Sequence, residues 1–194
     1  MALTLGTKAP AFKLPSTSGG EVSLASLRGR KVVLYFYPKD DTPGCTVEAC
    51  DFRDHLALLE AAGAEVLGVS KDPLAAHERF RSKHALPFPL LSDEGSAVAK
   101  AYGAYGQKMM YGKPVTGTIR STFLIDEQGK VARVWSPVKV PGHVQAVLAA
   151  LRGEEAPVKA AVKAPAKAVK KAPAQRAPMK ARERKSGRGR PRHD

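Results

Sequence analysis

Cys45 and Cys50 are the two cysteines of this 194-residue chain, and their surroundings suggest reagents rather than staples. They follow an apolar run, Val32-Val33-Leu34-Tyr35-Phe36-Tyr37, whose β-branched and aromatic content predicts a buried strand. Thr42 then offers a helix N-cap, Pro43 suits the first helical position, and Ala49 to Ala62 carries a helical pattern. Cys45 therefore falls in the first turn of a helix, beside the positive end of its dipole. That setting favours thiolate over thiol, and the thiolate is the nucleophile.

Three readings of the pair compete. Two core thiols are one, because free cysteine is among the most buried residue types, and this suits Cys50 better than Cys45 beside Pro43-Gly44. A metal site is the second. His55 lies five residues beyond Cys50, but there is no further cysteine and the other histidines are scattered, so a zinc ligand set is not completed. The third is redox chemistry, with Cys45 as nucleophile and Cys50 as its resolving partner. Five helical residues separate the two Cα atoms by roughly 8.5 Å on different faces. A disulfide needs less than about 7 Å, so the pair can bond only if the first turns of the helix unwind. Thr42 can bring a hydroxyl toward the sulfur, Gly44 leaves backbone N–H groups open, and Pro38 can shield the site from water. Such a pocket suits a small peroxide. Attack on one peroxide oxygen requires stabilisation of the other as it leaves. Arg120, the lone cation in the apolar stretch Thr118–Ile125, is the candidate donor; a strand-end residue facing solvent is its other reading.

The elements that must position these groups follow from patterning. Lys8 to Pro15 and Glu21 to Leu24 predict a short edge hairpin, and Ser26 to Gly29 a helical turn. Strands are expected over 31–37, 64–70, 88–92, 118–125 and 130–135. Helices are expected from Pro43 to about Ala62, from Asp72-Pro73 to about His84, over 94–102, and from Pro141 to Gly153. Gly103 to Gly117, rich in Gly and Tyr with weak periodicity, is expected to be a loop. Helical crossovers demand parallel neighbours and the Asp126–Gly129 turn an antiparallel pair, so the class is α/β with a mixed central sheet flanked by helices. A strand leading to a cysteine at a helix N-terminus, with a closing hairpin and helix, is the thioredoxin-like arrangement.

Composition divides the chain at residue 153. Residues 154–194 lack Leu, Ile, Phe, Tyr and Trp and hold 13 Lys and Arg against 4 Asp and Glu. They cannot bury enough apolar area to offset chain entropy, so a disordered basic tail is expected after a folded domain at 1–153. Ala-Pro pairs at 156–157, 164–165 and 172–173 recur with lysines between them. Gly187-Arg188-Gly189-Arg190-Pro191 resembles the AT-hook element, and the Lys/Ala/Pro part resembles lysine-rich histone tails. Sequence-independent DNA binding by counterion release is the expectation for this tail, and a merely solubilising extension the alternative. The N-terminus lacks the pattern of a signal peptide and no segment is long enough to span a membrane. A cytoplasmic protein, nucleoid- or chromatin-associated if the tail binds DNA, is expected, with no membrane partner and no metal or cofactor.

Pro38-x-x-x-Thr42-x-x-Cys45 matches the peroxiredoxin active-site motif. The interval from Gly44-Cys45 to Cys50 resembles the peroxiredoxin Q, or bacterioferritin comigratory protein, subfamily. The resemblance spans about residues 3–152; the tail departs from it. It implies a thioredoxin fold and a thiol-dependent peroxidase acting on hydrogen peroxide and organic hydroperoxides. It also implies Cys45 sulfenic acid, then a Cys45–Cys50 intramolecular disulfide reduced by thioredoxin or a similar dithiol. By motif, Pro38 and Thr42 shape the peroxide site, Arg120 takes the family's arginine role, and Glu48 has a supporting hydrogen-bonding role, a solvent-facing helix position being its other reading. An internal disulfide needs no second subunit, so a monomer is expected and a dimer allowed. A DNA-binding redox sensor, oxidised once rather than turning over, is the rival reading.

Overall fold

The computed structural model describes residues 3–110 and 112–154. Nine strands and five α-helices are present among them. In order they are β1 (Lys13–Pro15), β2 (Glu21–Ser23), β3 (Lys31–Phe36), α1 (Pro43–Asp54), α2 (Leu56–Ala61), β4 (Ala64–Ser70), α3 (Leu74–Lys83), β5 (Leu90–Ser92), α4 (Ala97–Ala101), β6 (Tyr105–Met110), β7 (Lys113–Thr118), β8 (Ser121–Ile125), β9 (Val131–Trp135) and α5 (His143–Leu151). A 3-10 turn at Leu24–Leu27 follows β2.

Five strands form the central sheet in the order β5-β4-β3-β8-β9. β3 lies parallel to β4 and antiparallel to β8, so it has sheet on both edges. It also has core on both faces, which is why it lacks polar alternation. Val33, Tyr35 and Tyr37 point into one cluster with Phe52, Leu59, Phe80, Val144 and Leu148. Val32, Leu34 and Phe36 point into the other with Phe12, Leu14, Leu27, Tyr102 and Phe123. The two-residue period of a strand produces this division. Burial of each large apolar side chain contributes about 1.5–3 kcal/mol. The sheet is mixed and thioredoxin-like, as the patterning predicts.

Three expected elements differ. The helix from Pro43 does not continue to Ala62; it breaks at His55, whose φ is −108° and ψ 5°. The His55 Nδ1–H donates to the Asp51 carbonyl at 2.8 Å, and the His55 backbone N–H donates to that same carbonyl at 3.2 Å. The stretch 103–117 is not a loop but holds the β6–β7 hairpin, in which Gly106 pairs with Gly117. Among the described residues its strands pair only with each other, and a glycine in each strand helps deny the hairpin an apolar face from which to read a period. The stretch Thr118–Ile125 is not one strand. β7 ends at Thr118 and β8 begins at Ser121, so Ile119 and Arg120 form the crossing between two sheets. The shorter differences, such as α4 starting at Ala97 rather than Glu94, reflect capping of its first amides by the Asp93 carboxylate at 3.3 and 2.8 Å. The expected tail, apart from Glu154, lies outside the described residues.

Gly68 in β4 is packed so closely that a Cβ there would stand 2.7 Å from both Leu90 Cδ2 and Tyr35 Oη. Gly68→Ala is expected to destabilise the chain by roughly 1–3 kcal/mol through overpacking. A urea midpoint equal to that of the wild type would contradict this packing.

Candidate active site

β3, at the middle of the sheet, ends at Phe36, and Tyr37 to Thr42 then turn the chain into α1. Thr42 is the N-cap in extended conformation, Pro43 is the first helical residue, and Thr46 N–H donates to Thr42 O at 2.9 Å. Cys45 sits in the first turn and is 1 % exposed, whereas Cys50 is half-buried; both are free thiols. No backbone acceptor takes the Gly44 or Cys45 N–H among the described residues, consistent with an open helix start.

Arg120, on the crossing between β7 and β8, reaches this helix start. Its Nη2 donates to Cys45 Sγ at 3.2 Å, and its Nη1 donates to Glu48 Oε2 in a short ion pair. A guanidinium offers only donors, so the sulfur must be the acceptor. Gly44 makes the approach possible, for a Cβ there would lie 3.2 Å from Arg120 Nη2. The crossing is held by Val138 N–H donating to the Arg120 carbonyl at 2.9 Å and by Ile119 N–H donating to Ala104 O at 2.8 Å. Burial works against the Arg120 cation, but Glu48 and the Cys45 sulfur outweigh it and raise its pKa above the ordinary arginine value.

Glu48 faces inward, not to solvent: it is 1 % exposed, and its Oε1 has no hydrogen-bond partner. Burial pushes its pKa up to about 7 against the opposing pull of Arg120. Thr42 is half-buried, and its hydroxyl donates to the Lys39 carbonyl at 3.0 Å rather than capping α1. Pro38 is half-buried at the start of the same loop. The structure thus brings Cys45, Glu48 and Arg120 into direct contact, with Pro38 and Thr42 on the loop leading in. Cys50 faces another way, onto a groove of about 790 Å³ lined by Val47, Val140 and Pro141 among others.

Sequence patterning missed two neighbours. Lys108 on β6 donates to the Thr118 carbonyl at 2.6 Å, two residues before Arg120. Burial lowers its pKa, while the Cys45 sulfur pulls the other way. The signal was hidden because 103–117 lacks periodicity. His143 opens α5, where its Nε2 lies 2.8 Å from Thr122 Oγ1 and its ring meets Phe52 and Trp135 edge-on. Burial, and then the Arg120 charge, push its pKa down to about 4. Nothing in its local sequence marks it. Among the described residues no group of three His, Cys, Asp or Glu is placed to hold a metal, and no helix is long and apolar enough to cross a membrane.

A thioredoxin-like sheet with a cysteine at a helix start under an arginine defines a thiol-based redox protein. The chain belongs to the AhpC/TSA family, whose model matches residues 5–134. Its relatives there include peroxiredoxins of the Bcp, or Q, type. A putative peroxiredoxin Bcp of Coxiella burnetii is 52 % identical over 151 residues, covering 78 % of this chain and 100 % of that protein. Peroxiredoxin Q of Xanthomonas campestris superposes with a TM-score of 0.71 at 44 % identity, covering 78 % of this chain and 96 % of that one. A structure of the Xanthomonas campestris bacterioferritin comigratory protein, described in terms of its alkyl peroxide reduction activity, matches at 43 % identity with a TM-score of 0.71, covering 78 % of this chain and 96 % of that one.

The two shifted groups couple stability to pH with opposite signs. Glu48 holds its proton in the folded state up to about 7, so its contribution to stability is lost as pH rises from the ordinary carboxylate range to about 7. His143 resists protonation when folded, so its contribution is lost as pH falls from about 6.5 to about 4. In wild type the two slopes offset each other across the shared window. The stability of Glu48→Gln relative to wild type should therefore increase from about pH 4.5 to about pH 7 and then level off. Urea midpoints measured across this range test it, and a constant difference would contradict the assignment.

Proposed function

We propose that the chain is a peroxidase that reduces hydrogen peroxide and organic hydroperoxides through Cys45, with Cys50 as resolving thiol. The observation that carries this reading is the Arg120 guanidinium 3.2 Å from Cys45 Sγ at the open start of α1. The Cys45 thiolate attacks the terminal peroxide oxygen, the O–O bond breaks, and its electron pair leaves on the alkoxide or hydroxide, which takes up a proton. Arg120 and the free N–H groups of the helix start are the donors available to the developing negative charge. Cys45 becomes a sulfenic acid. The Cys50 thiolate then attacks that sulfur, the S–O bond breaks as the disulfide forms, and the departing hydroxide takes up a proton and leaves as water. Thioredoxin or a similar dithiol returns the pair to thiols.

Cys50 needs the first turns of α1 to open before its sulfur can meet that of Cys45. Its half-buried position on a groove supports such a movement better than a core-thiol role would. The excess of basic over acidic residues in 154–194 supports a further reading, that the tail tethers the enzyme to DNA without sequence preference.

Two measurements test these readings. In a peroxide-consumption assay with a thioredoxin system, Cys45→Ser is expected to abolish turnover. Cys50→Ser should keep one oxidation per chain and lose recycling through the internal disulfide. Near-wild-type activity in Cys45→Ser would overturn the mechanism. DNA affinity across a salt series should be higher and steeper for the full chain than for a chain ending at Gly153; equal curves would remove the tether.

A further inference from the structure

The loop that delivers Cys45 is tied to α3 by a buried polar trio that the reaction itself does not use. Asp40, 8 % exposed, accepts a hydrogen bond from Tyr37 Oη at 2.7 Å, and its other oxygen lies 2.8 Å from His77 Nδ1. His77, fully buried, places Nε2 3.1 Å from the Leu91 carbonyl. A carbonyl only accepts, so Nε2 carries a proton, and one more proton lies between Nδ1 and the Asp40 carboxylate. Every polar side-chain atom of the trio is then partnered.

Neighbouring contacts make the tie specific to this loop. The Asp40 N–H donates to Asp72 Oδ2 at 3.0 Å. Asp41 follows in the left-handed region at φ 58°, and its carboxylate meets Lys83 Nζ at 2.9 Å and His84 Nε2 at 3.0 Å. At the far end of α1, Arg53 Nη1 donates to the His84 carbonyl at 2.8 Å. Both ends of the segment containing Cys45 and Cys50 are thus fastened to α3 and the residue that caps it, while the turns between them are not fastened there.

We propose that His77 is a positioning residue for the reaction of Cys45 with peroxide, holding through Asp40 the loop that forms one side of the sulfur's pocket while the first turns of α1 open toward Cys50. The opening half rests on the Cys45–Cys50 reading above; the pocket half does not. Loss of His77 leaves Asp40 buried without its partner and frees the loop. Capture of peroxide should suffer, because it needs the formed pocket. Closure of the disulfide should not, because it needs the pocket undone.

The test separates the two steps in the full-length chain. Capture is the second-order rate of Cys45 oxidation by hydrogen peroxide, measured in a Cys50→Ser background. Closure is the first-order loss of free thiol after a peroxide pulse with both cysteines present, read by rapid quenching with an alkylating agent. His77→Leu should lower capture roughly tenfold or more, the scale of a broken buried charged hydrogen bond. Closure should stay unchanged or quicken. His77→Asn, whose amide can replace Nδ1, should regain most of the capture rate. The proposal is overturned if capture is unchanged in a folded His77→Leu, if the Asn variant is as slow as the Leu variant, or if closure falls in parallel with capture. Should His77→Leu show no cooperative melt, Asp40→Asn replaces it under the same criteria. If the wild type forms no internal disulfide, the resolution reading fails, and the capture rates still decide the role of His77.

Discussion

The Arg120 guanidinium, shared between the Glu48 carboxylate and the Cys45 sulfur, is the contact on which the rest of the site depends. It places one cation between a thiol and a buried acid with an unpartnered oxygen. Neither neighbour would be tolerable there alone: a buried carboxylate needs a counter-charge, and a buried thiolate needs a donor. The arrangement also requires an absence, because Gly44 leaves the space through which Nη2 passes. Two segments distant in sequence, α1 and the crossing between β7 and β8, therefore meet around one side chain.

The sheet supplies the rigid side of the arrangement and α1 the yielding side. β3 is buried on both faces and paired on both edges, so its end is a fixed point. α1 buries only Cys45, Glu48, Ala49 and Phe52. One of these is an acid and one a free thiol, so the first turns contribute little apolar area to stability. Phe52, stacked 4.7 Å from Tyr35, provides the main anchor, and it lies beyond Cys50. A helix whose packing is concentrated at its C-terminal end can open from its N-terminus at modest cost. The ties from α3 on either side confine that opening.

Much of this was legible because it is local. The strand at 31–37, the cap at Thr42, Pro43 at the first helical position and Cys45 in the first turn all follow from neighbouring residues. The strand at 64–70 is found where periodicity predicts it. The hairpin at 105–118 was not legible, since its strands are held by backbone pairing, with a glycine pair next to the open end, rather than by an apolar face. The helix break at His55 depends on a side chain competing for a carbonyl, which patterning does not register.

Sequence alone determined the chemistry: a cysteine at a helix start, a second five residues on, and a spacing that forbids a bond within an intact helix. It determined this because capping, helical rise and thiol reactivity act over a few residues. Only the tertiary structure decided which charges surround the sulfur. The inward turn of Glu48 onto Arg120, the electrostatic reach of Lys108 to Cys45 and the Asp40–His77 tie each join residues separated by tens of positions. Burial and long-range electrostatics set those contacts, and neither has a period or spacing that a linear chain can display.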